Sequence, residues 1–121
     1  EYFTANGERV RSKSEIIIAD HLRRYSVVYK YEKPLELTVH GRRVTFYPDF
    51  TVMNLRTGRI YYLEHFGMMD NEDYYNAVLR KLDAFEMNQL LIGRDVLLLH
   101  ESSSAPLNTR VLDCYIQEYL V

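Results

Sequence analysis

The chain of 121 residues has no tryptophan, one cysteine and three prolines. The lone Cys114 excludes an internal disulfide and a zinc site built on cysteines, and in the last amphipathic stretch it is expected as a small core residue. His21, His40, His65 and His100 fall at spacings unlike a zinc set. No stretch approaches the roughly 18 consecutive apolar residues that a membrane helix needs, and no signal-peptide pattern opens the chain. A soluble, unexported, cytoplasmic protein with no membrane partner is therefore expected. Internal repeats and low-complexity linkers are lacking too, so residues 1–121 read as one domain. The first residue is Glu rather than Met, which suggests a piece of a longer protein whose other domains could be partners.

What is present fits an α/β or α+β domain, with 47% apolar and 26% charged residues. The net charge of −2 is unevenly spread: residues 1–60 carry +4 and residues 61–121 carry −6. Arg9, Arg11 and Lys13, then Arg23 and Arg24, then Arg42 and Arg43 cluster in the first half. They read either as a rim facing phosphates or as an ordinary solvated surface.

The most informative stretch is Tyr47-Pro48-Asp49-Phe50 followed by Tyr62-Leu63-Glu64-His65-Phe66. Arg43 to Met53 and Arg59 to Phe66 are rich in β-branched and aromatic residues, and Asn54-Leu55-Arg56-Thr57-Gly58 carries the chemistry of a tight turn, so the pair reads as a β-hairpin. If the loop is symmetric about Arg56 and Thr57, Thr51 faces Tyr62 and Asp49 faces Glu64. Like charges so placed repel unless a cation lies between them, and hard divalent cations favour carboxylate oxygens. A bulge at Gly58 would slip the register by one and turn one acid away. Both acids could also be solvated strand residues, although Tyr47, Phe50, Leu63 and Phe66 make the surroundings apolar.

Helix one is expected from about Lys13 to Tyr25. Ser12 and Glu15 fit a capping box, yet Glu15 shares a stripe with Ile18, Ala19, Leu22 and Tyr25, which would point it inward. Strands follow at Ser26–Glu32 and Leu35–His40, turning at His40-Gly41 into the Arg43 strand, so that an antiparallel meander runs to Phe66. Asp70-Asn71-Glu72-Asp73 starts helix two, whose apolar stripe is Tyr75, Val78, Leu79, Leu82 and Phe85. A buried strand, Val96–Glu101, and a last helix, Leu107–Tyr119, complete the chain. Strand, crossover helix and strand favour a parallel edge on a mixed sheet with helices on both faces.

In these residues the chain resembles the PD-(D/E)XK, or restriction-endonuclease-like, nuclease superfamily. Pro48-Asp49 is similar to the first half of its motif, Glu64 to the second, and Glu15 to the acid often supplied by the first helix. The resemblance spans about Arg9 to Glu101 and implies an αβββαβ core. The family's lysine would stand two residues after Glu64, where this chain has Phe66. Some members carry the basic residue on the following helix, and Lys81, at the margin of the apolar stripe, is the best match, with Lys13 as the fallback. The resemblance implies phosphodiester hydrolysis in nucleic acid, DNA in the first instance, with Mg²⁺ or Mn²⁺ held by Asp49, Glu64, the backbone carbonyl of His65 and Glu15, and with Lys81 beside the reacting phosphate. His65 itself points to the opposite face from Glu64, where packing is its simpler role. The alternative is a degenerate nuclease-fold domain that binds nucleic acid or a protein partner without cutting.

Overall fold

The computed structural model describes residues 1–121. In order it contains β1 (Tyr2–Phe3), β2 (Arg9–Val10), α1 (Lys13–Arg24), β3 (Val28–Tyr31), β4 (Leu35–Val39), β5 (Arg42–Phe46), β6 (Phe50–Met53), β7 (Ile60–Phe66), α2 (Glu72–Met87), β8 (Val96–His100) and α3 (Thr109–Tyr115), followed by a π-helical turn at Ile116–Leu120. The main sheet has the order β3-β6-β7-β8. Its first two pairings are antiparallel and β7 with β8 is parallel, so the mixed sheet expected from the crossover is present.

Alternation along the central strand sets the layers. Tyr61 and Leu63 point to one face, where Phe50, Val52, Leu97 and Leu99 join Ile18, Ala19 and Leu22 of α1 with Leu112 and Ile116 of the C-terminal helix. Tyr62 points to the other, where Val96 and Leu98 meet Ala84 and Phe85 of α2. Helices therefore cover both faces. Each fully buried Leu, Ile or Phe on these faces is worth about 1.5–3 kcal/mol relative to exposure, so both layers contribute to holding β7 central.

The expected meander is corrected in one respect. The stretch from Arg43 to Met53 is two strands, because Tyr47-Pro48 interrupts it and Pro48 has no N–H to donate to a ladder. The first piece, β5, pairs only with β4 as a separate two-stranded ribbon, and the second, β6, pairs with β3 and β7. The ribbon turns at His40 and Gly41, both at positive φ (49° and 78°), as the tight two-residue hairpin requires. It leans on α2 through Leu37, which packs with Ala84 and Phe85.

The expected stripe of α2 is buried in part: Val78 and Phe85 are buried with Ala84 and Leu82 is half-buried, whereas Tyr75 and Leu79 are exposed. Cys114 is likewise exposed and not in the core. The buried stripe of the last helix runs through Leu112, Ile116 and Leu120 at steps of four, and position 114 falls between them on the outer side.

Asn88, just past α2, joins helix and ribbon. Its Oδ1 accepts the Thr38 N–H (3.0 Å), and its Nδ2 donates to Thr38 O (3.0 Å) and Ala84 O (2.8 Å). The side chain thus occupies the open edge of β4 as a neighbouring strand would. Replacing it with Ala should cost about 1–3 kcal/mol by leaving partly shielded backbone groups unpaired. Amide hydrogen exchange should speed up at Thr38 and along β4–β5 while β6, β7 and β8 keep their protection; uniform protection in Asn88→Ala would show that the apolar contacts alone hold the ribbon.

Candidate functional site

The hairpin turn fixes what happens at the far end of the strands. Asn54 Oδ1 accepts the N–H groups of Arg56 (2.9 Å) and Thr57 (3.1 Å), and the Asn54 N–H donates to Arg59 O (2.9 Å). Gly58, at φ +74°, closes the loop without a slip. Met53 then faces Ile60, Thr51 faces Tyr62 and Phe50 faces Leu63. The next pair in this register is Asp49 with Glu64, as the symmetric loop predicts.

At that pair the backbone ladder ends and the two carboxylates take over its hydrogen bonds. The Asp49 N–H donates to Glu64 Oε2 and the His65 N–H donates to Asp49 Oδ2, both at 2.7 Å. Asp49 O still accepts from Glu32 beyond the end of β3 (3.0 Å), so Asp49 is tied to both neighbours. Glu64 is wholly buried and Asp49 partly so.

Lys81 enters from α2. Its ammonium forms an ion pair with Glu64 Oε1 and lies 3.4 Å from Tyr47 O. Asp49, His65, Phe66, Tyr74 and Lys81 line a cleft of about 200 Å³. Tyr74, for which the residue pattern predicts no part in the site, lines the cleft, and its hydroxyl accepts the Gly67 N–H (2.8 Å). The signal for it was its place seven residues before Lys81, on the same side of the helix. Lys13, the fallback, is exposed at the start of α1.

Glu15 is buried, as its place on the apolar stripe predicts, and only half of the capping box forms. Ser12 Oγ accepts the Glu15 N–H (3.2 Å), while Glu15 Oε1 accepts the Arg11 N–H (2.9 Å) and Oε2 the Tyr31 hydroxyl (3.2 Å). Tyr31, likewise not predicted, reaches Glu15 from the α1 side of the sheet and does not line the cleft. His65 lies on the α1 side of the sheet, with Nε2 2.7 Å from Glu101 Oε2, which also accepts from Ser14 Oγ (2.8 Å). Burial pushes Glu101 up, but the hydrogen bonds from His65 and Ser14 together hold it below its ordinary value. The end of β7 is thereby fastened to β8 and to the first turn of α1.

The electrostatics of the acid pair follow from dryness and proximity. Burial, then the charge of Asp49, push Glu64 up to about 8 against the opposing pull of Lys81. Burial also raises Asp49, with Lys81 and the His65 N–H recovering part of the cost. Glu15 is raised by burial and then by Asp49, which places it within electrostatic reach of the pair.

Two adjoining buried carboxylates, the charge of one raising the other, suit a hard divalent cation better than an apolar ligand, although Glu64 Oε2 accepts the Asp49 N–H and Oε1 meets the Lys81 ammonium, so a cation at Glu64 would share Oε1 with that ammonium or displace it. The fit is that of two side chains. No three His, Cys, Asp or Glu groups converge as a metal set, and Glu15 spends both oxygens on Arg11 and Tyr31. A wider concavity of about 550 Å³ lies under the β1–β2 hairpin, but its Arg9 and Arg11 are already paired with Glu1 and Glu32.

No protein family's profile matches the chain. An uncharacterised protein of Methanocaldococcus jannaschii is 29% identical over 126 aligned positions, which cover 93% of this chain. The matched region spans 10% of that protein's length. No helix of the chain is long and apolar enough to cross a membrane.

The raised Glu64 carries a consequence for stability. The native state keeps this proton to about pH 8, whereas the unfolded chain releases it near the ordinary 4.5. Stability from this group is therefore complete below about pH 4.5 and is lost as pH rises through 8, at up to about 1.4 kcal/mol per pH unit. In chelator-treated protein, urea midpoints should fall between those limits, and Glu64→Gln, which keeps an acceptor for the Asp49 N–H, should flatten the fall. An unchanged slope in Glu64→Gln would place its origin elsewhere.

Proposed function

We propose that this domain is a metal-dependent phosphodiesterase acting on nucleic acid, in the first instance DNA, and a variant of the PD-(D/E)XK superfamily. The observation that carries the reading is the Asp49–Glu64 pair at the end of adjacent antiparallel strands, with the Lys81 ammonium brought to it from the next helix. Supporting it is the element order: from α1 to β8, with the β4–β5 ribbon set aside, the chain runs helix, three strands, helix and a parallel strand, flanked by the β1–β2 hairpin and the C-terminal helix.

In this reading Asp49 and Glu64 hold Mg²⁺ or Mn²⁺ together with the His65 carbonyl, and Glu15 adds negative charge behind Asp49. What the ion supplies is a more acidic water and an offset for charge on the phosphoryl oxygens. The chain's own contributions are positional. The swapped hydrogen bonds fix both carboxylates against the opposite strand, Phe66 and Val78 keep the floor apolar, and Lys81 offers a preorganised cation where negative charge develops. Lys81 fills the electrostatic role that Phe66 cannot.

The second reading, a domain that binds without cutting, is favoured by Phe66 at the lysine position and by the acid set of only two converging side chains. An assay separates the two. Incubated with plasmid and oligonucleotide substrates, the wild type should cut with Mg²⁺ or Mn²⁺ and stop in EDTA, and Asp49→Asn and Glu64→Gln should fall to background. Lys81→Ala should lose about 100- to 1,000-fold in rate while Mn²⁺ binding, followed by calorimetry, stays nearly intact. Lys81→Arg should recover only part, because a planar guanidinium does not replace a compact ammonium. Full activity in Lys81→Ala would remove that residue from the site, and a wild type inert with every divalent ion would leave the non-cutting reading.

In the same calorimetry, Glu15→Gln should weaken Mn²⁺ binding while thermal stability changes by no more than about 3 kcal/mol, because Gln keeps an acceptor for the Arg11 N–H and the Ser12 cap is untouched. Unchanged affinity would reduce Glu15 to its bonds with Arg11 and Tyr31.

A further inference from the structure

Beside the acidic cleft lies a second, larger concavity of about 490 Å³ between the ribbon and α2. Its walls are apolar: Val39, Val44 and Phe46 from β4 and β5, and Ala77, Ala84 and Met87 from α2. Val44 and Met87 are 39% and 43% exposed, so this lining is open to solvent. Ala77 and Lys81 line both the groove and the cleft, which makes the two spaces continuous past a single ammonium.

Two basic side chains, Arg80 and Lys81, line the groove beside His40 and one acid, Asp83, and Lys81 is also ion-paired with Glu64. Arg42 pairs with Val39 at the ribbon's tip and, two residues before Val44, falls on the same side of β5. The ribbon's other nearby acid, Glu36, lies on the opposite side and is bonded to Thr45 and Arg43. An apolar slot rimmed by positive charge matches a ligand with a flat apolar face and a phosphate, that is, a nucleotide whose base is out of a duplex. A base inside a duplex offers only its edges, and a phosphate surface alone has no use for Val39, Val44 and Phe46.

We propose that the groove seats an unpaired base of a nucleic-acid strand whose adjoining phosphate lies at Lys81, so that the domain's substrate is single-stranded or locally unpaired. The proposal rests on the phosphodiesterase reading for the chemistry in the adjoining cleft, and deepens it by naming the form of the substrate. The groove's size falls within the roughly 300–1,000 Å³ of sites that enclose small organic groups. Ribbon and helix form its two walls, and Asn88 holds them at a fixed separation.

Binding and cleavage test this separately. In EDTA, fluorescence anisotropy with a short labelled single strand and with the same sequence as duplex should show the single strand bound at least about tenfold more tightly. Val44→Glu, an exposed strand position outside the acid cleft, should weaken single-strand binding about tenfold and leave duplex binding nearly unchanged. Arg80→Ala should weaken it less and lower the slope of log affinity against log salt by about 1. Equal affinity for both forms, or single-strand binding indifferent to Val44→Glu, would overturn the proposal even if the enzyme cuts DNA with Mn²⁺. Val44-dependent single-strand binding by a protein that cuts nothing would uphold the groove and sink the phosphodiesterase reading instead. If Val44→Glu alters only a monomer–dimer equilibrium in sedimentation, the groove is a contact between two copies of the chain and the proposal fails.

Discussion

Two adjacent strands that stop pairing at the same point depend on something to satisfy the backbone groups released there. In this protein the groups are the N–H of Asp49 and the N–H of His65, and each is taken by the carboxylate of the acid on the opposite strand. This reciprocal exchange holds the end of the sheet open without leaving a buried donor orphaned. It also explains how two acids stay side by side in a dry place: each is bound to its neighbour's backbone, and Lys81 offsets part of their charge. The apolar layers on either face, the tie from His65 through Glu101 to Ser14 and the arrival of α2 all converge on that opening.

The cost of the arrangement is visible in the raised Glu64 and Asp49. Charges withdrawn from water that are only partly paired are an expense that folding alone gives no reason to keep, and perturbed carboxyls in a cleft are a mark of functional sites. The same region shows an economy of parts. Lys81 contacts the acid pair, approaches the carbonyl of Tyr47 just before Pro48, and borders both the cleft and the groove. A single helical position therefore joins the two spaces.

Much of this was legible in the residues. The symmetric loop at Asn54 to Gly58 gave the register that sets Asp49 opposite Glu64, and the apolar periodicity of α1 placed Glu15 inside. The crossover between β7 and β8 predicted the parallel edge of a mixed sheet. Lys81 was identifiable from its place beside the stripe of α2. The errors came where distant partners override local pattern. Pro48 is a local sign of the break between β5 and β6, but that β5 then leaves the sheet depends on α2 and Asn88 being there to receive the ribbon. On α2, Tyr75 and Leu79 are left exposed while Val78 and Phe85 of the same stripe are buried, and the spacing of Leu112, Ile116 and Leu120 turns Cys114 outward. Tyr31 and Tyr74 reach their partners through tertiary placement that hydrophobic periodicity does not encode, and so do Ser14 and Glu101.

The Asn54 turn imposes a rule on how this chain can change over time. It lies at the opposite end of the hairpin from the acids, about 16 Å from Asp49 at the rise of an extended strand, yet its residue count decides whether Asp49 and Glu64 meet. Exchanging side chains within the loop leaves that count intact, whereas inserting or deleting one residue carries an acid to the wrong side of the sheet. Drift by substitution and drift by change of length are therefore unequal here: Leu55, Arg56 and Thr57 can vary in letters, while Asn54, Gly58 and the length of the loop stay fixed.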